Sequence, residues 1–531
     1  MASSTPEESI NRTQPQSPRS VLGWALTFFI SIVVIITGLT FYVLDEPSLY
    51  DPMKITSSLE LIQFFMPENN QSNRFIRQAR EAVFDLLDRY SGYLEPRELD
   101  RVTEEFTGSY GGIGITIVSH ESGLMVMSVR EDGPAGRAGM LSGDIILRAD
   151  TVNLADINAN QATYLLRGPE GSNLDLKVTR NGMTDTLEFS LIREQLKLIH
   201  IPYAGLTSSG FFYARILDFE GGVTGELIAA LDSHLTDTCP GIILDLRGNP
   251  GGLLIEGVNM ANLFLDEGHL IVGTKGRSRW RDYAYHSSGK DITSGVPVVV
   301  IVDRGSASAA EIIAGALKYS SRAVLVGDTT FGKGLVQEYR GLGDGSGLRL
   351  TTSRYYFEGD IYLNDPASEV IDSGGGIPPD YYIETADSEP FLRRLRNSSL
   401  IRDFAMEYQD SIILNSMVSR NSPEWFGKFV DYARNHGFEY KSDMTELVEL
   451  TKDLSIWKNC SDETNNAVDR LHDVSIQDDS FQFDASREQI VRLLYRTAVE
   501  YKYGTPRAYK DAILPYRPEI RMAEEILARE I

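Results

Sequence analysis

The stretch Gly305-Ser306-Ala307-Ser308-Ala309-Ala310-Glu311 decides the fold of the central part of this chain. It follows an apolar run, residues 296–302, that predicts a buried strand, and it opens a segment, residues 309–319, that predicts a helix. Ser308 is therefore expected where a strand passes into a helix N-terminus. Backbone N–H groups and the positive end of the helix dipole point at such a position, which favours an alkoxide and an oxyanion there.

A lysine follows this stretch on a glycine-flanked turn. The sequence Phe331-Gly332-Lys333-Gly334 comes after a second predicted strand, residues 323–327, and places Lys333 25 residues after Ser308. A serine and a lysine brought together make a nucleophile with an amine base. The alternative is purely structural, because Ser308 and Glu311 also fit the helix capping box Ser-x-x-Glu.

A lysine base must be uncharged before it can accept a proton. The unperturbed pKa of lysine is about 10.4, so an ordinary lysine is protonated at neutral pH. Burial disfavours the charged form, and Phe331, Leu335 and Val336 are apolar neighbours in sequence that could supply it. We therefore expect an apolar environment around Lys333.

Composition excludes some partners and leaves others open. The chain has 531 residues, enough for roughly three or four domains, and a net charge of -24. Nucleic acid and anionic lipid need a basic surface, so neither is an expected partner. The two cysteines, Cys239 and Cys460, fall in different predicted domains, and a disulfide between them is left open. No Cys/His spacing resembles a metal site, and no metal or cofactor is expected.

An uncharged segment near the N-terminus predicts a membrane anchor. Residues 21–44 contain no charged residue and are long enough to cross a bilayer as a helix. Arg12 and Arg19 precede the segment, whereas Asp45 and Glu46 follow it, so the N-terminus is expected in the cytoplasm and the rest outside it. Tyr42-Val43-Leu44-Asp45 lacks the small-x-small exit of a cleaved signal peptide, which favours an uncleaved single-pass anchor in the cell membrane.

A glycine-rich loop and two later motifs resemble a PDZ domain. Tyr110-Gly111-Gly112-Ile113-Gly114-Ile115 is followed by Pro134-Ala135-Gly136-Arg137-Ala138-Gly139 and then by Gly143-Asp144-Ile145-Ile146-Leu147. PDZ domains add a peptide as an extra strand and hold its carboxylate on loop N–H groups. By that resemblance, the peptide carboxylate would bind at Gly112, Ile113, Gly114 and Ile115.

Two glycine motifs further along the chain resemble motifs of other enzyme classes, but each lacks an essential residue. Residues 327–334 come close to a phosphate-binding P-loop, but Gly334 replaces the hydroxyl residue that would bind Mg²⁺, and the residues after it predict a strand. Gly248-Asn249-Pro250-Gly251-Gly252 resembles the trypsin-type nucleophile turn, but Pro250 occupies the place of the serine. That turn has no nucleophile, although its glycines can donate N–H groups to an oxyanion.

Taken together, the motifs resemble the carboxyl-terminal processing peptidases, also called tail-specific proteases. The resemblance covers roughly residues 75–385 and rests on five motifs in one order: 87–94, 244–252, 305–311, 331–337 and 376–380. It implies a PDZ domain followed by a Clp/crotonase-like α/β protease core. The uncharged segment 21–44 and the charged, amphipathic segments beyond residue 390 lie outside the resemblance. With them, the sequence predicts an α/β multidomain protein with an N-terminal transmembrane helix, a helical segment, the PDZ domain, the protease core and a helical C-terminal extension. The corresponding ranges are 1–20 for a cytoplasmic tail, 21–44 for the anchor, 45–104 for the helical region, 105–195 for the PDZ domain, 196–385 for the serine–lysine protease domain and 386–531 for the helical C-terminal region.

The resemblance also implies roles for individual residues. Ser308 would be the nucleophile, Lys333 the general base and Gln337 the residue that positions Lys333. The oxyanion hole would consist of the N–H of Ala309 and that of Gly251 or Gly252. Two departures from the family pattern are Ala310, where a second serine is usual, and the stretch 355–360, where a Pro-x-Gly sequence is usual.

The spacing between Lys333 and Gln337 restricts the local backbone. Four residues in an extended strand span about 13 Å, whereas the same spacing in a helical turn brings side chains to about 6 Å. We therefore expect a bent or helical course from Lys333 to Gln337. Arg167, in the turn after the predicted PDZ helix, is either a regulatory contact between the PDZ domain and the active site, as the family implies, or an exposed turn residue.

The sequence thus predicts a membrane-anchored serine endopeptidase that cleaves proteins near their C-termini. Its expected partners are proteins or peptides with a free C-terminus and the membrane. Amphipathic segments near the C-terminus fit either a homo-oligomer or internal packing. The main alternative is a non-catalytic scaffold with a PDZ domain and a protease-like domain. A trypsin-like protease is a third possibility, disfavoured by Pro250 and by the lack of a recognisable triad histidine.

Overall fold

The structure is a computed structural model that describes residues 69–530, except for gaps at 121, 156, 181–182, 184, 236–238, 278–281, 364–374, 384–388, 419–423 and 454–460. The chain divides into two compact units, residues 1–92 and 93–531. In the first unit, the described part is α1 (Asn69–Phe84) and the turns after it. No helix among the described residues is long and apolar enough to cross a membrane. The predicted tail, 1–20, and the predicted anchor, 21–44, lie outside the described residues, as does Cys460.

The predicted PDZ region is an antiparallel sheet with a helix beside its edge strand. β1 (Gly92–Leu94) and α2 (Pro96–Thr107) precede it. Its elements are β2 (Ser109–Gly112), β3 (Ile115–His120), β4 (Gly123–Val129), α3 (Pro134–Arg137), β5 (Ile145–Ala149), β6 (Val152–Asn153), α4 (Ala159–Leu166), β7 (Asn173–Thr179), β8 (Leu187–Ile192) and β9 (Glu194–Lys197). The strand order is β3-β4-β5-β7-β8, with β6 paired to β5, whereas β2 pairs with β9. β3 is an edge strand and α4 lies beside it, which is the arrangement to which PDZ domains add a peptide strand.

The α/β core contains two sheets. Its elements are β10 (Tyr203–Leu206), β11 (Phe212–Arg215), α5 (Val223–His234), β12 (Ile242–Asp245), α6 (Leu254–Asn262), β13 (Leu270–Gly276), β14 (Tyr283–His286), β15 (Val298–Val302), α7 (Ala309–Tyr319), β16 (Ala323–Gly327), β17 (Leu335–Gly341), β18 (Gly347–Phe357), β19 (Ile361–Tyr362) and β20 (Tyr381–Tyr382). In the main sheet, β10-β11-β12-β15-β16-β20, the first pair is antiparallel and the rest are parallel. In the second, β18 pairs with β13, β17 and β19, all antiparallel.

Both faces of the main sheet are buried. All five residues of β15, Val-Val-Val-Ile-Val, are buried, as expected of a parallel strand covered on both sides. Residues on α5, α6 and α7 form one apolar core with every second residue of β12 and β15. α6 ends at Asn262, and the apolar residues 263–265 that follow it are buried.

The C-terminal region is helical, as predicted, but its last helix packs on the protease sheet. Its elements are α8 (Pro390–Asn397), α9 (Leu400–Glu407), α10 (Gln409–Val418), α11 (Glu424–Asn435), α12 (Asp443–Asp453), α13 (Asp462–Ser480), α14 (Gln482–Ala485), α15 (Arg487–Tyr503), α16 (Thr505–Ala508), a π-helical turn (Tyr509–Ile513), a 3₁₀ turn (Leu514–Tyr516) and α17 (Pro518–Glu530). Residues 391–508 share a core of their own, whereas α17 joins the core on the second face of the main sheet. The amphipathic faces of α15 and α17 are therefore used in internal packing.

Candidate active site

Ser308 lies on a sharp turn between β15 and α7. Its backbone has φ 54° and ψ -116°, which is a strained conformation for a residue with a side chain. Such a conformation costs about 1–3 kcal/mol and persists where the surroundings enforce it, as in the strand-to-helix elbows that expose a nucleophile. The Oγ of Ser306 donates to the carbonyl of Leu246 at 2.8 Å and accepts from the N–H of Asp303 at 2.9 Å, which fixes the turn before Ser308.

Glu311 joins the serine loop to the lysine loop. This side chain is fully buried, and its carboxylate accepts hydrogen bonds from the N–H of Ser308 at 2.9 Å and from the N–H of Lys333 at 2.9 Å. It also accepts from the N–H of Gly332 at 2.7 Å and from Oγ1 of Thr330 at 2.6 Å. Burial raises the pKa of Glu311, and the four donated hydrogen bonds offset only part of that rise. The capping-box contact predicted between Glu311 and Ser308 is therefore part of a brace: one carboxylate that connects the serine loop to the lysine loop.

We expect Glu311→Gln to slow cleavage by about 10- to 100-fold in kcat while leaving the protein folded. A glutamine has the same shape but has one acceptor oxygen in place of two, so at least one donor of the brace is left unpaired, at a cost of about 1–3 kcal/mol. Steady-state kinetics on a peptide substrate, with circular dichroism as the folding check, measure the effect. Glu358→Gln, at an exposed glutamate, is the control and should cleave like the parent. Equal rates for both variants would contradict a bracing role.

Tyr355 is a second link between the two loops. It lies in β18, is 1% exposed, and its hydroxyl lies within hydrogen-bonding distance of the carbonyls of Ser308, at 3.3 Å, and Lys333. The serine and lysine loops, 25 residues apart in sequence, are therefore connected by two buried side chains. Glu311 is the hydrogen-bond acceptor and Tyr355 is the donor. Tyr355 falls in the stretch 355–360, where this chain departs from the family pattern. The sequence therefore gave no signal for this contact.

Lys333 precedes β17 and is half-buried, and Gln337 lies within that strand. Of the bent or helical course predicted from Lys333 to Gln337, the helical form is wrong: Gly334 leads into the strand. A register shift between Val336 and Gln337 interrupts the pairing of this strand with β18. The amide of Gln337 donates to the hydroxyl of Thr351 at 3.4 Å. The predicted strand after Gly334 is confirmed, so the P-loop alternative lacks its helix.

The glycine turn 248–252 packs directly against the serine elbow. A Cβ built on Gly251 would lie 2.6 Å from the Cβ of Ser308 and 2.8 Å from the N of Ala309, so only glycine allows this approach. The N–H of Gly251 donates to Oδ1 of Asn249 at 2.8 Å and is therefore in use. The N–H groups of Gly252 and Ala309 have no acceptor in the described part of the chain. Of the two glycines predicted for the oxyanion hole, Gly252 is therefore the one whose N–H is available as a donor.

Asn249 fixes the shape of this turn. Its side chain is fully buried, donates from Nδ2 to the carbonyl of Ile216 at 3.1 Å and accepts from Gly251 through Oδ1. The carbonyl of Asn249 also accepts from the N–H of Ala307 at 2.9 Å, which ties the turn to the serine elbow. On its other side the turn is anchored by Phe219, whose N–H and carbonyl bond to Gly251 and Leu253.

These residues meet at one cleft. A cavity of about 210 Å³ is lined by Ser308, Lys333, Gln337 and Gly252 together with Tyr355 and, from the surrounding elements, Phe106, Glu220, Pro250, Leu253, Leu254, Ile312, Leu335, Val336 and Tyr339. Most of the lining residues are apolar, as expected around a lysine that must act as a base. The predicted nucleophile, base and oxyanion glycine are therefore brought to a common surface.

The predicted peptide loop adopts a turn before β3. Gly112 closes β2 and pairs with Glu194, and Ile113 is buried, with its carbonyl accepting from Ala135. Gly114 has φ 80°, and Ile115 opens the edge strand β3.

Arg167 contacts α2 and β2. Its guanidinium lies 3.1 Å from Oε2 of Glu104 and 4.3 Å from the ring centroid of Tyr110. Arg167 is thus a partly exposed turn residue that is paired with Glu104. No contact with the cleft residues accompanies it in the described part of the chain.

One group of side chains has the spacing of a metal site. Ligand atoms of His200, Asp218 and Glu220 lie within 4.8 Å of one another, the only such group among the described residues. The Nδ1 of His200 already makes a 2.6 Å contact with Oδ1 of Asp218. Burial alone would lower the pKa of His200, but this carboxylate raises it.

Comparison with known proteins finds family matches for two parts of the chain. Residues 211–383 match peptidase family S41, and residues 111–191 match the PDZ domain. A carboxy-terminal-processing protease of Bartonella bacilliformis is 31% identical over 69% of this chain and 83% of its own length. The carboxy-terminal processing protease CtpA of Bacillus subtilis is 29% identical over 62% of this chain and 72% of its own. Among solved structures, a photosystem II D1 C-terminal processing protease is 28% identical over 62% of this chain and 86% of its own, with a TM-score of 0.37.

These matches confirm the predicted combination of a PDZ domain and a protease core, and they confirm a serine-type peptidase. The predicted helical C-terminal region is present in the structure. The PDZ match also supports peptides as ligands of the chain. With more than four fifths of the Bartonella relative covered at 31% identity, this chain belongs to the carboxy-terminal processing proteases of peptidase family S41.

Proposed function

We propose that this chain is a membrane-anchored serine endopeptidase that cuts proteins near their C-termini, with Ser308 as nucleophile and Lys333 as general base. The observation that carries the proposal is that both residues line one apolar cleft, with their loops braced together by Glu311 and Tyr355. A scaffold without activity has no need to keep Ser308 in a strained backbone conformation.

The proposed reaction has two halves. Neutral Lys333 takes the proton from Oγ of Ser308, which attacks the carbonyl carbon of the scissile peptide bond and forms a tetrahedral oxyanion. The lysine ammonium then gives the proton to the leaving nitrogen, the C–N bond breaks and an acyl-enzyme remains. In the second half, Lys333 accepts a proton from water, the water oxygen attacks the ester, and Ser308 leaves with the proton.

The oxyanion is held by backbone donors in this proposal. The N–H groups of Gly252 and Ala309 are free of other acceptors in the described part of the chain. Ala309 directly follows Ser308, and Gly252 lines the same cleft as Ser308. The loss of one such donor typically slows turnover by about 100- to 1000-fold. Gln337 borders the same cleft and is proposed to position Lys333.

The PDZ domain is proposed to recognise the substrate tail. A peptide would pair with the edge strand β3, and its terminal carboxylate would meet the loop from Gly112 to Ile115. Arg167 is proposed to transmit peptide binding, since it joins the PDZ domain to α2 through Glu104 and α2 carries Phe106 into the cleft lining.

The location of the enzyme is also a proposal. The uncharged segment 21–44 supports a single-pass anchor in the cell membrane, with the N-terminus in the cytoplasm and the catalytic part outside it. Protease accessibility of the region beyond residue 45 in intact cells and in opened cells distinguishes the two sides.

The test compares one unfolded substrate protein with an apolar C-terminus in two forms, with a free carboxylate and with a C-terminal amide. We expect the amide form to be cut with a kcat/KM lower by about tenfold or more, because hydrogen bonds from N–H groups to a charged carboxylate contribute about 1.5–3 kcal/mol. Product masses locate the cut. Equal cleavage of both forms would remove the PDZ role, and binding of both without any cut would favour the scaffold alternative.

A further inference from the structure

Glu519 is a buried carboxylate that the proposed mechanism does not use. It is the second residue of α17, near the end of the chain, and only 1% of it is exposed. Its Oε1 lies 2.8 Å from Nη1 of Arg247, whereas its Oε2 is buried and has no hydrogen-bond partner in the described part of the chain. A buried carboxylate with one unsatisfied oxygen is unfavourable for stability, so its presence calls for another reason.

Arg247 connects Glu519 to a second buried carboxylate. Its Nε and Nη2 donate to the two oxygens of Asp245, at 3.0 and 2.6 Å. Asp245 also accepts from the hydroxyl of Tyr213 at 2.7 Å and lies 3.5 Å from Nη1 of Arg215. The cluster therefore holds two carboxylates and two guanidinium groups, and its formal charges cancel only while Glu519 is ionised.

The directions of the pKa shifts in the cluster agree with this balance of two carboxylate and two guanidinium charges. Burial alone would raise the pKa of Asp245, but Arg247 and Arg215 hold it well below its usual range. Burial likewise would lower the pKa of Arg247, but Asp245 and Glu519 raise it well above its usual value. Loss of the Glu519 charge would leave one guanidinium charge uncompensated in a buried site.

The backbone of Arg247 leads directly into the glycine turn of the active site. Gly248 follows it, and the N–H of Gly252, the proposed oxyanion donor, lies five residues along the chain. The carbonyl of Arg247 accepts from Arg215, and the N–H of Arg247 donates to Oδ1 of Asp245 at 3.1 Å. Both ends of the residue, side chain and backbone, are thus fixed by the same buried cluster.

The position of Glu519 is set by the packing of its helix. Ile520, Ala523 and Leu527 on α17 are buried against the second face of the main sheet, together with Ile243 of β12, the strand that runs into the turn. A helix held by three buried apolar residues can act as a rigid support for the first-turn carboxylate. This support comes from residues far beyond the matched protease region, which ends at residue 383.

We propose that Glu519 is a positioning residue that holds the oxyanion turn in place through Arg247, so that the last helix of the chain takes part in catalysis without touching the substrate. The inference rests on the proposed function, since it concerns the oxyanion hole of that reaction. It assigns a catalytic support role to the C-terminal region of the enzyme.

The test is Glu519→Gln in the full chain, with Glu525→Gln as the matched control. Glu525 lies on the same helix and its side chain is 61% exposed. We expect Glu519→Gln to lower kcat by about 10- to 100-fold with KM within twofold of the parent. A peptide boronate, which forms a tetrahedral adduct with a reactive serine, should bind more weakly by the same factor. Binding of an uncleaved peptide in the Ser308→Ala background should not change.

The outcomes separate positioning from plain stability. A fall in melting temperature with unchanged kcat per folded enzyme, or a boronate affinity equal to that of the parent, would overturn the proposal. If Glu519→Gln does not fold, Glu519→Asp is used. Aspartate keeps the charge but shortens the side chain, so kcat and boronate affinity should both fall, by a smaller factor than expected for Glu519→Gln. An inactive parent would instead overturn the proposed function, which keeps the two failures distinct.

Discussion

Ser308→Ala is expected to abolish cleavage, with a fall in kcat of about 10⁴- to 10⁶-fold, while the protein stays folded. The substitution removes the oxygen that attacks the peptide carbonyl and leaves the backbone contacts of the elbow, including the N–H to Glu311, in place. Lys333→Met is expected to cause a loss of similar size, because residues that act as one unit give strongly non-additive losses. The double variant should therefore be hardly slower than either single variant.

The control for this pair is Lys290→Met. Lys290 is exposed and lies in a loop of the same catalytic region, so its loss should leave kcat within twofold of the parent. Circular dichroism and thermal unfolding of all variants establish that each is folded. If parent, Ser308→Ala and Lys333→Met cut alike, catalysis does not reside at these residues.

Much of the site could be predicted because its chemistry is local in sequence. The strand, turn and helix around Ser308 were given by apolar runs and small residues within about twenty positions, and α7 and β16 have the predicted limits. The glycine turn was recognisable from its resemblance to known glycine motifs, and the structure gives the reason for Gly251, whose close approach to the elbow requires glycine. Local patterns of this kind survive folding, because strand ends and helix N-termini face the same edge of an α/β sheet.

The supporting contacts could not be predicted because they are distant in sequence. Tyr355 reaches the serine and lysine loops from β18, and Glu519 reaches the glycine turn from a helix 272 residues after Arg247. Neither residue stands out by type or spacing, since a tyrosine in a strand and a glutamate in the first turn of a helix are ordinary. Their roles depend on which elements pack together, and the packing of α17 on the main sheet has no signature in its own sequence.

The choice between Gly251 and Gly252 shows the same limit at short range. Both glycines are adjacent, and the resemblance allowed either to donate to the oxyanion. The deciding fact is a side-chain contact, since Oδ1 of Asn249 takes the N–H of Gly251. That contact leaves Gly251 with a steric role and Gly252 with the available donor, a division that only the folded turn defines.

Gly251→Ala is expected to lower kcat by about 100- to 1000-fold. The new methyl group would lie 2.8 Å from the N of Ala309 and 2.7 Å from the carbonyl oxygen of Ala307. An oxyanion must lie about 2.7–3.1 Å from its donors, so the methyl group competes for the place where the charge develops. The φ of 96° at this position adds backbone strain for any residue with a side chain. Steady-state kinetics and the affinity for a peptide boronate measure the loss.

Gly248→Asn is the control within the same turn. Gly248 has φ 62°, a conformation that asparagine tolerates, and a Cβ there would meet no atom within 4 Å. This variant should keep kcat within about threefold of the parent, because about 1 kcal/mol of strain at an open position need not move the oxyanion donors. Comparison of Gly251→Ala with Gly248→Asn separates two effects on kcat. One is the close approach of residue 251 to the serine elbow, and the other is a general intolerance of the turn to side chains. If Gly251→Ala retained parental kcat and boronate affinity, the oxyanion hole would have to lie elsewhere in the cleft.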